Sequence, residues 1–371
     1  AILTPSRQKK GTGMERFAIR PEICFGPGAL GALARLAGKR VLLVTDSFLA
    51  SSGLAAKATE HLTGPVEVFD QVEPDPSLRL VAQGVAALEN FGPDVVVAFG
   101  GGSPMDCAKA MCYFSKGRPP LWCIPTTAGT GSEVTSFAVL TDTEKGVKYP
   151  LVEEELLPET AILDPSLLEG VPPKVTADTG MDVLTHAAEA YVAKGCSPFS
   201  DALAEKAFAL AYARLPAAFA GDLGAKGDML LASCLSGMAF NAAGLGVCHA
   251  MAHALGGRFH LPHGRLNAIL LPEVVLHNAR DRRPAIRYGA LAKACGLSGT
   301  PRALSAALVR LRASLGIPDR LPVPPEELRA AMEDLTAAAL ADGCMAANPL
   351  PLSAEEVRDL LSGAGGLGGR T

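Results

Sequence analysis

Short apolar runs alternate with helix-like segments in the first half of the chain. Strand-like runs of aliphatic, often β-branched residues lie at residues 40–46, 66–70, 94–103 and 121–127. Between the second and third runs, residues 77–92 carry apolar side chains at helical spacing and end on a glycine. This alternation of strand and helix predicts a parallel sheet with helices on both faces.

The pattern changes at about residue 176. Alanine and leucine replace the β-branched runs, and long helical stretches such as residues 200–215 follow one another. The change comes just after the paired prolines Pro172 and Pro173, which suit a linker. We therefore predict an α/β fold plus an all-α fold: a Rossmann-like, dinucleotide-binding domain over residues 1–175 and a helical, metal-binding and catalytic domain over residues 176–371.

Composition narrows the functional classes. A net charge of −4 argues against a dedicated nucleic-acid binder, because phosphate binding needs a concentrated basic face. Nine cysteines include no C-x-x-C pair, which argues against a zinc ribbon or a disulfide framework. No apolar run approaches about 18 residues, and no signal-peptide pattern opens the sequence. We expect a reduced cytoplasmic protein with neither a nucleic-acid nor a membrane partner.

A candidate phosphate-binding turn follows the third strand-like run. Three glycines and Ser103 lead into a helix that opens near Pro104. Glycine lets the backbone approach an anion closely, and the helix N-terminus adds N–H groups and a partial positive charge. On local evidence alone, a purely structural turn is an equal alternative. A second polar loop, residues 125–135, also follows a strand, so the two loops should meet at one sheet edge and bind a dinucleotide.

Asp46 ends the first strand-like run. A carboxylate at this position suits a ribose hydroxyl of NAD and repels the 2′-phosphate of NADP. An aspartate just before a helix is equally suited to capping that helix. Both interpretations stay open at the level of sequence.

Four of the seven histidines lie between residues 249 and 263. His249 and His253 are four residues apart and share a helix face, with His263 a short distance beyond them. Upstream, Asp182 and His186 have the same spacing on another predicted helix. A single histidine here would more often be a core residue, but the combination predicts a metal site in a helical bundle. A buried Asp182 would also be costly without a cation.

These motifs resemble the iron-containing (group III) alcohol dehydrogenase family over nearly the whole chain. Four segments carry the resemblance in family order: GGGSPMDCAK from residue 100, IPTTAGTGSEVT from residue 124, GMDVLTHAAEAY from residue 180, and HAMAHALGGRFHLPHGRLNAILLP from residue 249. Two departures stand out. Ala254 replaces a proline common after the second histidine, and the loop before residue 121 is shorter than in many members.

The resemblance implies a divalent metal, Fe²⁺ or Zn²⁺, whose ligands are Asp182, His186, His249 and His263. It implies that His253 is the active-site histidine beside nicotinamide and substrate, whereas His260 matches no functional position. For NAD, it implies a larger set of contacting residues: Asp46, Asp75, Gly101, Gly102, Ser103, Asp106, Thr126, Thr127, Thr130, Thr135 and Lys148.

The implied activity is an NAD-dependent interconversion of a small primary alcohol and its aldehyde. The nearest branch is that of the 1-propanol and ethanol dehydrogenases of propanediol and ethanolamine utilisation, with Phe137, Phe259 and Cys344 near the substrate. This branch implies a homodimer or higher homo-oligomer and an association with bacterial microcompartments. For the segment before Phe17 we weigh a targeting role against a disordered leader.

Two other functions are consistent with parts of the pattern. A glycerol dehydrogenase-like or dehydroquinate synthase-like enzyme would share both domains, but such enzymes use fewer histidines or a glutamate at the metal. A non-catalytic nucleotide-binding protein with a relict metal site is the second alternative. It is disfavoured because every implied ligand and cofactor position carries the required chemical group.

Overall fold

The computed structural model describes residues 17–144 and 147–367. Within them the chain divides into two compact units: a sheet unit, residues 18–171, and a helical unit, residues 172–367 together with Phe17. Phe17 stacks on Phe199, with ring centroids 5.0 Å apart. The predicted boundary at residue 175 falls inside the first turn of the helix that opens the helical unit.

The described part of the sheet unit contains eight strands: β1 (Glu22–Phe25), β2 (Val41–Val44), β3 (Val66–Phe69), β4 (Val95–Gly100), β5 (Leu121–Pro125), β6 (Phe137–Asp142), β7 (Val147–Val152) and β8 (Thr160–Leu163). Six of them pair in parallel in the order β1-β8-β5-β4-β2-β3, and β6 and β7 form an antiparallel hairpin. Strands β2, β4 and β5 are buried along their whole length, which explains why their sequences do not alternate. The predicted parallel sheet is confirmed.

Helices cover both faces of this sheet. The α-helices of the unit are α1 (Ser47–Ser51), α2 (Leu54–Thr59), α3 (Leu78–Phe91) and α4 (Gly102–Phe114), with 3₁₀ segments at Ala29–Leu36, Ser132–Val134, Glu154–Leu156 and Pro165–Leu168. On one face Val96 packs in a core with Met105 and Met111 of α4. On the other face Val97 packs with Leu33 and Leu49.

The boundaries of α3 are those that its sequence predicts. The Ser77 hydroxyl accepts a hydrogen bond from the Leu80 N–H at the first turn. Gly92 ends the helix in the left-handed conformation, with φ of 62°, which glycine adopts without strain. The helix then returns the chain to β4, which ends at the predicted phosphate-binding turn.

The described part of the helical unit contains no strand. Its helices are α5 (Pro173–Val192), α6 (Pro198–Phe219), α7 (Leu223–Ala243), α8 (Val247–Phe259), α9 (His263–Asn278), α10 (Arg282–Ala294), α11 (Pro301–Ser314), α12 (Pro325–Ala341) and α13 (Ala354–Gly365), with a 3₁₀ segment at Gly343–Ala347. Helix α5 is buried on all sides from Gly180 to Val192, and it packs against α6, α7 and α9. The predicted all-helical organisation is confirmed for these residues.

A sharp break separates α8 from α9. His260 lies just past the end of α8 with φ of 53°, and Pro262 precedes the first residue of α9. Helix α9 then packs against both α5 and α8. The predicted metal ligands therefore lie on three mutually adjacent helices, with His263 at the first position of α9.

Among the described residues, no single helix is long and apolar enough to cross a membrane. Helices α7 and α8 meet the length and composition criteria only as a pair, and they are bent by 105° relative to each other.

Candidate metal and cofactor sites

Three of the four predicted metal ligands converge inside the helical unit. Asp182 Oδ1 lies 3.7 Å from His249 Nε2 and 3.6 Å from His263 Nε2. One ligand atom from each of the three side chains lies within 4.8 Å of the other two. Two ligands bound tetrahedrally to one ion at about 2.1 Å are about 3.4 Å apart, so this spacing suits a single cation.

His186 lies beside this cluster. Its Nδ1 atom is 4.0 Å from Asp182 Oδ2, one helical turn away on α5. The ring stacks on His249 and on Phe240, with ring centroids 4.5 Å apart in each case. The structure therefore brings His186 to the site without including it in the convergent set, and its role as the fourth ligand stays a prediction.

The charges of the cluster suit a divalent cation. Burial alone would raise the pKa of Asp182, but the surrounding imidazoles outweigh burial and hold it well below its usual range. Partial loss of surrounding water and the neighbouring imidazoles lower the pKa of His263 to about 3, so its ring is neutral at pH 7. Burial also opposes the charged form of His249, but hydrogen bonds to Asp182 and Glu189 raise its pKa to about 9. A cation at His249 Nε2 would take the place of that proton.

Asn267 completes the surroundings of the ligands, and our sequence reasoning did not single it out. Its Nδ2 donates to Asp182 Oδ1 at 2.7 Å and lies 3.2 Å from His249 Nε2 and 3.1 Å from His263 Nε2. It is fully buried on α9, one turn beyond His263. The four-residue spacing from a predicted ligand is the signal that could have identified it.

His253 lies next to the ligands but outside their convergent set. Its ring stacks on that of His263, with centroids 5.1 Å apart, and its side chain is 41% exposed. Nδ1 is hydrogen-bonded to Asp342 Oδ2 at 2.9 Å. Although burial opposes ionisation, this contact lowers the pKa of Asp342 to about 2. Sequence reasoning missed Asp342, which orients the imidazole of His253 as a carboxylate orients a catalytic histidine.

The predicted substrate-side residues are distributed over both units. Cys344 has its Sγ within 4.8 Å of ligand atoms of His253 and Asp342. Phe259 is the last residue of α8 and is half-buried. Phe137 opens β6 of the sheet unit and is also half-buried. Their contact with substrate stays a prediction.

In the sheet unit the two predicted loops face each other. A Cβ atom on Gly101 would lie 3.3 Å from Thr127 Oγ1, and one on Gly102 would lie 3.1 Å from Thr130 Cγ2. Glycine at these positions therefore allows the close approach of the two loops. Thr126 is buried, and its N–H donates to the Gly100 carbonyl at 2.9 Å. The expected meeting of the loops at the sheet edge is confirmed.

The N-terminus of α4 has the features expected of an anion site. Gly101 occupies the capping position, and no described side chain caps this helix. Ser103, in the first turn, accepts a hydrogen bond from the Asp75 N–H at 3.3 Å. Asp75 in turn pairs with Lys148, with Oδ1 and Nζ 2.6 Å apart. Three predicted cofactor contacts, Ser103, Asp75 and Lys148, are thus brought together, and their contact with NAD stays a prediction.

Two other predicted contacts are engaged inside the sheet unit. Asp106 accepts hydrogen bonds from Ser132 Oγ at 2.9 Å and from the Val139 N–H at 3.0 Å. Thr135 is buried and accepts a hydrogen bond from Lys109 Nζ at 3.1 Å. These contacts hold the second loop in place, and a direct contact of either residue with NAD stays a prediction.

Lys109 organises this interior, and our sequence reasoning missed it. Its buried ammonium donates to Ser132 Oγ at 2.9 Å and to the Phe137 carbonyl at 2.8 Å, in addition to Thr135. Burial lowers the pKa of Lys109, and the neighbouring Asp106 opposes that effect. The helix that starts at the glycine turn is thereby tied to the second loop and to β6.

Asp46 lies at the carboxyl end of β2, and its Oδ1 caps α1 by accepting from the Leu49 N–H at 2.8 Å. The capping interpretation is therefore confirmed. Capping engages one carboxylate oxygen and fixes the side chain at the sheet edge, so it is compatible with a ribose contact through the other oxygen. The ribose contact stays a prediction.

Glu133 gives the sheet unit a pH-dependent stability. Its carboxyl is buried, and burial raises its pKa to about 7 despite the nearby Lys109. Because the folded pKa lies above the unfolded value, the neutral acid stabilises the fold below about pH 4.5, and that contribution is lost as the pH rises through 7.

Replacing Glu133 by glutamine should remove this pH dependence. Between pH 5 and pH 8, the free energy of unfolding of Glu133→Gln should rise by up to about 3 kcal/mol relative to that of wild type. Urea unfolding at both pH values measures this, and parallel pH dependences would contradict it.

Comparisons with known proteins identify the family of this chain. A family profile described as iron-containing alcohol dehydrogenase matches residues 21–165, and a profile for the C-terminal part of the Fe-containing alcohol dehydrogenase family matches residues 176–365. The chain belongs to the iron-containing alcohol dehydrogenase family. The predicted fold and enzyme class are confirmed.

Individual relatives agree with this assignment. The 1-propanol dehydrogenase PduQ of Citrobacter freundii is 45% identical over 366 residues, which cover 94% of this chain and 99% of that protein. An iron-containing alcohol dehydrogenase structure from Thermococcus thioreducens is 34% identical, with a TM-score of 0.89 and coverage of 94% and 99%. A sulfoacetaldehyde reductase from Bifidobacterium kashiwanohense, solved with NAD⁺, is 28% identical, with a TM-score of 0.85 and coverage of 95% and 98%.

The family membership defines the chemistry of the protein. Iron-containing alcohol dehydrogenases are oxidoreductases that interconvert alcohols and aldehydes with NAD and Fe²⁺. The predicted cofactors are therefore confirmed. The cluster of Asp182, His249 and His263 supplies oxygen and nitrogen donors that fit Fe²⁺.

Proposed function

We propose that the protein is an NAD- and iron-dependent dehydrogenase of short primary alcohols, with 1-propanol and propanal as a preferred pair. The observation that carries the proposal is the convergence of Asp182, His249 and His263 in the helical unit, with His253 stacked on the last of them. The 45% identity to a 1-propanol dehydrogenase over almost the whole chain supports the choice of alcohol.

The side chains of this site divide the work of the reaction. When bound, the cation supplies Lewis acidity toward the alcohol or carbonyl oxygen, and NAD supplies the hydride acceptor. Asp182, His249, His263 and His186 would hold the cation. Asn267 holds the Asp182 carboxylate by its hydrogen bond. Together these groups would fix the position of the cation.

His253 is the group that moves or orients a proton. Its Nδ1 atom is bonded to Asp342, which leaves Nε2 to face a reacting hydroxyl or a water molecule. The half-exposed ring is accessible to solvent, as a group that exchanges protons requires. Asp342 positions the ring through this hydrogen bond.

Substrate choice distinguishes this proposal from a polyol dehydrogenase. Cys344 and Phe259 of the helical unit would give the substrate small, largely apolar surroundings, which favour a propyl chain over a chain with additional hydroxyls. With purified enzyme, NAD and Fe²⁺, kcat/KM for 1-propanol and ethanol should exceed that for glycerol at least about tenfold, because each additional hydroxyl would be buried without a partner. A preference for glycerol would support the polyol alternative instead.

Cofactor preference tests the role of Asp46. We expect the wild type to prefer NAD, since a carboxylate at the end of β2 repels a 2′-phosphate. Because Asp46 also caps α1, the informative substitution is Asp46→Ser, which keeps a capping oxygen and removes the charge. The kcat/KM with NADP should rise at least about tenfold, the factor that corresponds to ~1.4 kcal/mol of lost repulsion. Equal use of NAD and NADP by the wild type would show that Asp46 does not face the ribose.

The cellular setting belongs to the same proposal. We place the enzyme in the cytoplasm as a homo-oligomer associated with a bacterial microcompartment, on the basis of its resemblance to the alcohol dehydrogenases of propanediol and ethanolamine utilisation. The candidate targeting segment, residues 1–16, lies outside the described residues. Co-sedimentation of the chain with purified shells, with and without residues 1–16, measures the association, and equal sedimentation would remove the targeting role.

A further inference from the structure

Glu189 is a buried carboxylate that the proposed ligand set does not use. It lies on α5, almost one turn beyond His186, and only 1% of the residue is exposed. Its Oε2 atom is 2.6 Å from Nδ1 of His249, the ring nitrogen opposite the one that faces Asp182. The carboxylate therefore contacts a metal ligand directly while lying on the far side of its ring.

The same carboxylate binds the first turn of α8. Oε1 accepts from the Cys248 N–H at 2.7 Å, and Oε2 accepts from the Gly246 N–H at 3.0 Å. Backbone N–H groups and the helix dipole at this end stabilise a buried negative charge. A Cβ atom on residue 246 would lie 2.7 Å from Glu189 Oε1, so glycine is required for the carboxylate to come this close.

We infer that Glu189 is the positioning residue of the metal ligand His249. By accepting the Nδ1 proton it fixes the tautomer that presents the lone pair of Nε2 to the cation, and by binding the first turn of α8 it sets where the ring lies. The inference rests on the proposed function, because it concerns the same metal site. A hydrogen-bonded carboxylate behind a ligating imidazole orients the ring and increases its basicity.

Replacing Glu189 by glutamine changes the hydrogen-bonding groups of the side chain while nearly preserving its volume. It fills nearly the same volume but has only one oxygen. If that oxygen accepts from Cys248, the NH₂ group takes the place of Oε2, where it faces the Gly246 N–H and donates to His249 Nδ1. That donation drives the proton to Nε2, the atom that the cation needs. If the amide is reversed, its NH₂ group faces the Cys248 N–H, and two donors meet in a buried place. In both arrangements His249 becomes a poorer ligand.

Zinc affinity of the purified full-length chain tests the inference. We expect Glu189→Gln to bind Zn²⁺ about 10–100-fold more weakly than wild type in competition with a chelator. Asp178→Asn is the matched control: Asp178 is a buried carboxylate on the same helix, and it pairs with Arg265 of α9 at 3.0 Å. The control should bind Zn²⁺ as wild type does. Wild-type affinity in Glu189→Gln, or an equal loss in the control, would overturn the inference.

A spectroscopic measurement on wild type keeps the test independent of the folding of the variant. In the Zn²⁺-loaded protein with ¹⁵N-labelled histidine, NMR should show His249 coordinated through Nε2, with a slowly exchanging proton on Nδ1. Coordination through Nδ1, or an absent Nδ1 proton, would refute the role of Glu189. Alcohol oxidation is assayed separately, so a protein that passes both tests and does not oxidise any alcohol refutes the proposed function alone.

Discussion

Replacing His263 by alanine should abolish alcohol oxidation and remove most of the bound metal. His263 Nε2 is 3.6 Å from Asp182 Oδ1, and its neutral ring is one of the three convergent donors. The loss of a ligand should weaken metal binding more than the ~10–100-fold typical of losing a partner of a ligand. We expect kcat/KM to fall at least about 10³-fold, with the helical content unchanged because this side chain is 37% exposed.

His260 provides the control for this substitution. It lies three residues earlier, is exposed, and contacts none of the predicted ligands in the described structure. Because its φ is 53°, asparagine, which tolerates the left-handed conformation, is the suitable replacement. His260→Asn should keep wild-type metal content and turnover. The iron content and the steady-state kinetics of both variants test this prediction. If His263→Ala binds a full complement of iron, His263 is not a metal ligand.

Replacing His253 by alanine should also abolish turnover, but unlike His263→Ala it should leave the metal bound. The ring lies outside the convergent donors and is oriented by Asp342. A fifth protein ligand would occupy the place of the substrate. Loss of a positioned acid–base group typically costs 10²–10⁴-fold in rate. We expect a kcat reduced by about that factor, near-stoichiometric iron, and an altered pH–rate profile because an acid–base group has been removed.

Asp342→Asn provides the companion variant for His253. The amide keeps the size of the side chain but removes one of the two carboxylate oxygens that can accept a hydrogen bond from His253 Nδ1. We expect it to retain iron and to lose a smaller part of kcat than His253→Ala does, because the imidazole remains but is less firmly oriented. If His253→Ala loses iron and activity together, His253 is a ligand, and our division of labour within α8 is wrong.

Much of the fold could be predicted because the buried elements are long or strongly patterned. Strands β2, β4 and β5 are apolar on both faces, and α3 carries a capping serine and a terminal glycine. No comparable sequence signal marks β1 or the β6–β7 hairpin. β1 is a half-exposed edge strand of four residues, and β6 alternates buried with half-buried positions, so each depends on pairing with distant segments.

Residues of the metal site could be predicted from the sequence where they share a helix. Asp182 and His186 are four residues apart on α5, and His249 and His253 are four apart on α8. The carboxylates that hydrogen-bond to these histidines could not be predicted in the same way. Asp342 is 89 residues from His253, and Glu189 is 60 residues from His249, so only the packing of the helices brings these pairs together. Lys109 needed the fold as well, because its partner Ser132 lies 23 residues away on another segment.

Iron titration of the metal-free enzyme, followed by NADH formation from 1-propanol, tests the central claim most directly. We expect no turnover without metal and a rate that rises linearly with Fe²⁺ until one ion is bound per chain. The same titration of His263→Ala should stay at the baseline. NADH formation that is independent of added iron in a metal-free preparation, or its absence at full iron occupancy with both 1-propanol and ethanol, would contradict the account.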